Sequence, residues 1–147
     1  MSVLWADLKA QLVDLGFEED EIMSDNEYGR TARNSVNRAL DVVYQTVALR
    51  IENYYKLTES WGYEDDDGSW VMPKPRHVDT STEDDNKINL ADNLTFLVAL
   101  LAAHWLWLDD DITKATMYYN EYDGLKAEII SIGLTPKNAQ IVGGVSF

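Results

Sequence analysis

The chain has 147 residues, 26 acidic and 12 basic, which gives a formal net charge of -14. Affinity for DNA comes largely from Lys and Arg side chains that neutralise phosphates, so this balance argues against binding to nucleic acid and to anionic lipid. The 46% hydrophobic content argues against disorder, and the absence of cysteine excludes disulfides and thiolate sites. The length and composition predict one soluble domain.

Two helices are predicted in the first half of the chain. Apolar residues at helical spacing predict the first over Val3–Leu15, with Gly16 as its stop. A longer periodic segment, Thr31–Leu57, predicts an amphipathic helix that runs the full height of the molecule. Ser24 is a candidate cap for this region. The expected apolar face of the long helix consists of Val36, Leu40, Val43, Val47, Ile51 and Tyr54.

The segment from Trp61 to Val78 predicts a β-hairpin. Short aromatic and β-branched pieces flank DDDG at residues 65–68, a sequence typical of a tight turn. Pro73 and Pro75 restrict the return strand to a sheet edge. The polar residues 79–87 predict a loop that is mobile or ordered only by a partner. Hairpin and loop together form an insertion at about residues 61–89.

Two further helices are predicted in the second half. Asp92 is the expected cap of a helix over Asn93–Leu108, which is apolar at nearly every position and should therefore be buried on more than one side. Its apolar run is shorter than the about 20 residues that a membrane span requires. The last helix is expected over Ile112–Ile132, ended by Gly133 and followed by Pro136.

Residues 134–147 predict an extended tail. They contain one charged side chain, Lys137, and too few apolar residues to form a core. Such a segment suits strand addition to, or insertion into, another protein. The alternatives are a strand folded onto the chain's own hairpin and a frayed end. The expected fold is therefore mainly α: a small helical bundle over residues 1–133 with one long central helix, a β-hairpin insertion, and the extended C-terminal tail.

Two aspartate clusters are candidate metal sites. Asp109, Asp110 and Asp111 follow the apolar helix in HWLWLDDDITKA, but no second acidic set lies at a diagnostic spacing. Their expected role is a turn in which Asp110 or Asp111 caps the next helix. The loop YEDDDGSWVMPK resembles a calcium-binding loop in its middle only, because Tyr63 and Lys74 occupy the anchor positions that need acidic ligands. We therefore predict no metal site.

No enzymatic activity is expected. The chain has two histidines, His77 and His104, and lacks the G-x-S-x-G, H-E-x-x-H and glycine-rich phosphate-loop motifs. His104 lies inside the apolar helix, one turn before Leu108, and is expected to be a hydrogen-bonded interior histidine. We predict no catalytic residue and no cofactor. A divalent-metal enzyme that uses the aspartates is a further alternative, which a metal titration would test.

The aromatic residues suggest a protein–protein interface. Eight tyrosines and five tryptophans exceed what one small core requires, and these two residue types are enriched at interfaces. Part of the set is therefore expected to face another subunit. The candidates are Tyr54, Tyr55, Trp61, Trp70, Tyr118 and Tyr119.

The order of elements resembles the head–tail connector, or adaptor, proteins of long-tailed bacteriophages. A long helix carries NSVNRALDVVYQ, and the apolar helix leads through an acidic turn into DDDITKATMYYNEYDGLKAEI. The resemblance covers Val3 to about Ile132 and is weakest in the hairpin and acidic loop. The residues that carry the pattern of the last helix are Lys114, Ala115, Tyr119, Glu121, Tyr122, Leu125 and Lys126.

The resemblance implies a structural neck protein of the virion, assembled in the host cytoplasm. Its subunits would form a ring, commonly of twelve, under the portal protein, and would extend the DNA channel without binding DNA specifically. They would also present a surface to the downstream head-closure or tail protein. The C-terminal segment would dock on the portal through Ile141, Val142, Val145 and Phe147.

A function from another class is the alternative. An acidic helical protein of this size could mimic the charge of DNA and occupy a nucleic-acid-binding protein. Such a regulator would show salt-sensitive binding to a basic partner and would form no ring.

Overall fold

A computed structural model describes residues 2–58, 61–132 and 134–137. Its helices are α1 (Trp5–Asp14), α2 (Glu27–Val43), a π-helical segment (Tyr44–Ala48), α3 (Leu49–Tyr54), α4 (Thr95–Trp107) and α5 (Ile112–Ile132). Its strands are β1 (Ser2–Leu4), β2 (Tyr63–Glu64), β3 (Trp70–Val71) and β4 (Lys87–Ala91). The predicted fold, a mainly helical bundle with a β-hairpin, is confirmed.

Helix α4 lies in the middle of the bundle and contacts α1, α2 and α5. Every residue from Leu97 to Ala103 is buried, so the helix is covered on all sides, as its apolar sequence predicts. The helix begins later than predicted, because Asp92–Leu94 form a 3₁₀ turn before Thr95. The cap predicted at Asp92 is therefore wrong: the residue that precedes α4 is Leu94.

The helices give the bundle two distinct ends. The rod from Glu27 to Tyr54 is roughly 40 Å long at about 1.5 Å per residue. The start of α2 lies beside Trp107 at the end of α4, whereas Thr135, just after α5, lies beside Lys56. Helices α2, α3 and α5 therefore run in one direction and α4 in the other. We call the end at Trp107 the acidic end (residues 14–27 and 107–111). We call the end at Lys56 the tail end (residues 50–56 and 134–137).

Val3 and Leu4, which are predicted to belong to the first helix, form part of strand β1 instead. Strand β1 pairs antiparallel with β4, joining Leu4 to Lys87. The pairing continues into the first turn of α1, where the Trp5 amide donates to the Asn86 carbonyl at 2.8 Å. The loop before β4 has hydrogen bonds within itself, in which Asp79 accepts from the Ser81 amide at 2.8 Å. The expectation that this loop is mobile or ordered only by a partner stays a prediction.

Helix α2 begins four residues earlier than predicted. The Asn26 side chain caps it by accepting from the Gly29 amide at 2.8 Å, which leaves Ser24 outside the helix as an acceptor from the Asn26 amide. Gly29 is buried in the first turn because the chain at Ser24 passes directly over it. Glycine disfavours a helix, but at Gly29 it lets the Ser24 backbone lie close against the first turn of α2. This contact compensates for the low helix propensity.

The π-helical segment explains why Tyr54 does not lie on the apolar face. A π turn holds one residue more than an α turn, so the positions after Ala48 are rotated relative to a straight α-helix. Tyr54 is 65% exposed, and Tyr55 packs against the core in its place. The segment is held to α5 through Tyr122, whose hydroxyl is hydrogen-bonded to Thr46 and whose pKa is raised by burial.

The predicted hairpin is present and is anchored at both of its bases. Asp65 forms the turn by accepting from the Asp67 and Ser69 amides at 3.0 and 2.9 Å. Trp61 and Met72 are buried in the core, and the Met72 amide donates to Glu52 on α3 at 2.9 Å. The hairpin therefore packs along the rod near the tail end.

The loop between hairpin and β4 is clamped to α2 by one side chain, and its removal is expected to destabilise the fold. The side-chain Nδ2 of Asn37 donates to the Val78 carbonyl at 2.9 Å, and its Oδ1 accepts from the Val78 backbone amide at 2.7 Å. Asn37→Ala removes the side chain that bonds both the carbonyl and the amide of buried Val78. We therefore expect the free energy of unfolding to fall by about 2 kcal/mol. Urea denaturation measures this, with Asn34→Ala, exposed on the same helix, as control. Equal midpoints for the two variants would contradict the clamp.

Candidate interaction surfaces

His104 joins α4 to the first turn of α5. Its Nδ1 donates to the Ala115 carbonyl at 2.7 Å, and its ring packs against Tyr119 with centroids 5.0 Å apart. The side chain is half-buried. The expected hydrogen-bonded histidine is confirmed, and its observed contacts are those of a structural link between two helices.

The three aspartates after α4 form the predicted turn. The Asp111 carboxylate accepts from the Lys114 amide at 3.0 Å and so caps α5. The amides of Asp110 and Asp111 donate back to the Trp107 carbonyl at 3.2 and 2.9 Å. In the described part of the chain, no three His, Cys, Asp or Glu side chains are grouped so as to hold a metal ion.

Two of the six aromatic interface candidates belong to the core. Trp61 is 6% exposed and Tyr118 is 7% exposed, so their assignment to a subunit interface is wrong. Trp61 is buried at the base of the hairpin, and Tyr118 lies on the inner face of α5. Tyr55 and Trp70 are half-buried, and only Tyr54 and Tyr119, at 65% and 43%, expose much of their rings.

The remaining candidates do not share one surface. Tyr54 and Tyr55 line a shallow pocket with Arg50 at the tail end. Tyr119 lies two turns from the start of α5, on the side of Ile112, which is also exposed. The aromatic residues thus mark two separate regions of the subunit.

The acidic end concentrates negative charge. Its two segments, residues 14–27 and 107–111, contain ten carboxylates and no basic side chain. The first turns of α2 and α5 lie at this end, and the partial positive charge of a helix N-terminus stabilises nearby carboxylates. The N-termini of α2 and α5 therefore offset part of the electrostatic repulsion among these carboxylates.

A groove at the acidic end combines carboxylates with aromatic rings. It is lined by Glu18, Asp109, Tyr28 and Trp107 among others. Trp107 is fixed by a bond from its Nε1 to the Leu15 carbonyl at 3.1 Å, and the Lys114 ammonium lies 3.9 Å from its ring centroid. The Tyr28 hydroxyl accepts from the Glu18 amide at 2.9 Å, and burial raises the pKa of Tyr28.

A second feature is an uncharged strip along the outer face of α5. Its members lie on one face of the helix and are all exposed, and this face is opposite the buried face formed by Ala115, Tyr118 and Tyr122. Apolar periodicity does not reveal this face, although the spacing of its uncharged residues is a property of the sequence. The uncharged strip consists of Thr113, Thr116, Met117, Asn120, Gly124, Ala127 and Ser131.

The start of the tail is tied to the end of α3. The Lys56 amide donates to the Thr135 carbonyl at 2.8 Å, and the Lys137 amide donates to the Tyr54 carbonyl at 2.9 Å. Tyr55 and Pro136 form the antiparallel bridge between these segments. The described start of the tail therefore pairs with α3 rather than with the hairpin. Gly133 and the predicted portal-binding residues Ile141, Val142, Val145 and Phe147 lie outside the described residues.

Known proteins give no guide to these surfaces. No helix in the described ranges is both long and apolar enough to cross a membrane. Comparisons with known protein families, with curated proteins and with solved structures each find no match. The resemblance to phage adaptors therefore depends on the sequence pattern alone.

Proposed function

We propose that this protein is a structural neck adaptor that forms a ring, of twelve copies as in the proteins it resembles, under a bacteriophage portal. The observation that carries the proposal is the chemical difference between the two ends of the bundle. The acidic end holds ten carboxylates, whereas the tail leaves from the opposite end, beside Arg50 and Lys56. A subunit placed between two different partners needs two such unlike ends.

The charge distribution is compatible with a DNA conduit. Carboxylates repel phosphates and are not expected to retain DNA that passes beside them. Exposed Ile112 and Tyr119 supply apolar surface for contact with a neighbouring copy. In this proposal the tail end faces the portal, and the acidic end faces the channel or the downstream head-closure or tail protein.

Co-sedimentation with the cognate portal tests the proposal. We expect the full-length protein to sediment with portal rings and to appear as an additional ring in electron micrographs of the complex. Absence of association with assembled portal would reject the neck function. A monomeric state of the isolated protein is compatible with it, because the portal can act as the template for the ring.

Deletion of Ile141–Phe147 is expected to abolish portal binding while the melting temperature changes little. The deleted residues lie beyond the described core contacts, so the bundle should fold without them. Co-sedimentation measures binding, circular dichroism measures the fold, and the conservative change Ser146→Ala is the control. Portal affinity equal to that of the full chain would show that the tail is not the docking element.

One observation favours the alternative function. The groove at the acidic end is lined by the carboxylates of Glu18, Glu27, Asp109 and Asp110, which suit the Lys and Arg side chains of a basic protein. A regulator that mimics DNA charge would bind a nucleic-acid-binding protein through this end. Binding that weakens steeply with salt, without ring formation, would support it over the neck function.

A further inference from the structure

Aspartate is followed directly by glycine at two places in the chain, Asp67–Gly68 and Asp123–Gly124. Such a pair can isomerise without an enzyme. The glycine amide nitrogen attacks the side-chain carboxyl carbon of the aspartate, and the amide proton and the carboxyl hydroxyl leave as water, which gives a cyclic succinimide. Water then reopens the ring at either carbonyl and yields aspartate or isoaspartate. Glycine favours the attack because it has no Cβ atom beside the nitrogen.

Neither of the two glycines is crowded by side chains. Both are exposed, as are the aspartates that precede them. A Cβ atom built on Gly68 would come no closer than 3.8 Å to another residue, at the Glu64 carboxylate, and one built on Gly124 would meet nothing within 4 Å. The two sites therefore differ in the restraint on the backbone and not in access to it.

The helix restrains the backbone at Asp123–Gly124. Both residues lie in the interior of α5, where the Gly124 amide donates to the carbonyl four residues earlier. Ring closure needs rotation about the bond between the aspartate Cα and its carbonyl carbon, so the helix must first open locally. The Asp123 carboxylate also lies 3.6 Å from the Lys126 ammonium, one turn further along the helix. The fold should therefore suppress ring closure at this site.

The turn restrains the backbone at Asp67–Gly68 far less. The strands on either side, β2 and β3, have two residues each, and Gly68 has a φ of 82°. The Gly68 amide donates to the Asp65 carbonyl at 3.1 Å, and the Asp65 carboxylate accepts from the amides of Asp67 and Ser69 at 3.0 and 2.9 Å. These bonds all run to Asp65, so ring closure requires the turn to loosen but not the bundle to unfold.

We propose that Asp67 is a site of spontaneous isomerisation to isoaspartate, that Asp65 limits its rate, and that the helix protects Asp123. Isoaspartate brings the Asp67 Cβ into the main chain and lengthens the turn by one atom, so the side-chain bonds of Asp65 must be remade. The bases of the hairpin stay anchored, because Trp61 and Met72 are buried in the core. The chain therefore ages at the surface of the hairpin while the bundle is kept. This inference does not depend on the proposed neck function.

Incubation of the purified full-length protein at neutral pH and physiological temperature tests the proposal. Isoaspartate is quantified with isoaspartate methyltransferase, and tryptic peptides separate the two sites because Arg76 and Lys114 lie between them. We expect isoaspartate to accumulate at Asp67 and to stay at its initial level at Asp123. The control is the same incubation in concentrated urea, in which both pairs are unfolded and should react at similar rates.

Two matched variants of the turn test the role of Asp65. Asp65→Ala removes both side-chain bonds and is expected to speed isomerisation at Asp67 several-fold without a change at Asp123. Asp66→Ala removes an exposed neighbouring carboxylate and should leave the rate unchanged. Circular dichroism should show the same helical spectrum for both variants, since the turn lies outside the core.

Each outcome decides the proposal. Isoaspartate at Asp67 of the folded protein, with no increase at Asp123, supports it. Equal accumulation at the two sites, or no accumulation at Asp67, would overturn it. Equal rates in Asp65→Ala and Asp66→Ala would show that Asp65 does not limit the reaction. Because the portal takes no part in these measurements, their failure is distinct from failure of the neck function.

Discussion

Gly29→Ala is expected to lower the free energy of unfolding by about 3 kcal/mol. An added Cβ would lie 2.0 Å from the Ser24 carbonyl oxygen and 2.7 Å from that of Glu21. Both are backbone atoms, so neither can move aside as a flexible side chain would. The first turn of α2 must then separate from the loop that covers it. Urea denaturation followed by circular dichroism measures the change.

The same substitution at Gly124 is the matched control. That glycine is also helical but faces open space, so Gly124→Ala is expected to be neutral or to stabilise the protein by up to about 1 kcal/mol. A similar loss of stability in both variants would show that helix propensity, and not the contact with Ser24, decides the effect.

Arg33→Leu is expected to destabilise the fold by about 3 kcal/mol. Arg33 is 6% exposed, and its guanidinium donates to the carbonyls of Ile22 and Ser24, both at 2.6 Å. Leucine would leave these two carbonyls without this donor in a partly or fully buried position. The midpoint of urea denaturation should therefore fall well below that of the parent chain.

Arg30→Leu separates this effect from a general loss of charge. Arg30 is exposed, and its guanidinium donates to the Asp25 carbonyl at 2.6 Å and lies 3.7 Å from the Asp25 carboxylate. In solvent, an ion pair of this type contributes less than about 1 kcal/mol. If the two leucine variants were equally stable, the hydrogen bonds of Arg33 would not hold the loop. Gly29 and Arg33 fix the same segment, so both predictions probe how the wall of the acidic groove is attached to α2.

The elements with strong local signals were predictable. The bounds of α5, Ile112–Ile132, match the prediction, because Asp111 provides a cap and the apolar spacing is regular. The turn at Asp65–Gly68 was also predictable, since its residues form local hydrogen bonds. In these cases the information lies within a few neighbouring residues.

Elements that depend on distant contacts were not predictable in the same way. Val3 and Leu4 fit the apolar spacing of the first helix, so the sequence predicts a helix where strand β1 is found. The strand that pairs with them, β4, lies far along the sequence. The π-helical segment does not interrupt the apolar series, because Val43, Val47 and Ile51, before, within and after it, are all buried. Its effect is visible only in the exposure of Tyr54.

The aromatic candidates show a related limit for the interaction surfaces. Residue type alone gives the same expectation for Trp61 and Tyr54, yet one is buried by the hairpin and the other is turned outward by the π turn. The uncharged strip was in principle visible, since exclusion of charge at helical spacing is a sequence property. The exposure of the uncharged strip, however, follows only from the packing of the opposite face of α5.

The pairing of β1 with β4 has a consequence for synthesis on the ribosome. The partner of Leu4 is Lys87, roughly 80 residues later along the chain. At about 5 to 20 residues per second, roughly 4 to 16 s pass between synthesis of the two strands. Helix α1 lacks both its β-sheet support and the central α4 during that time. The amino-terminal segment is therefore made early but reaches its native position only after β4 and α4 have been synthesised.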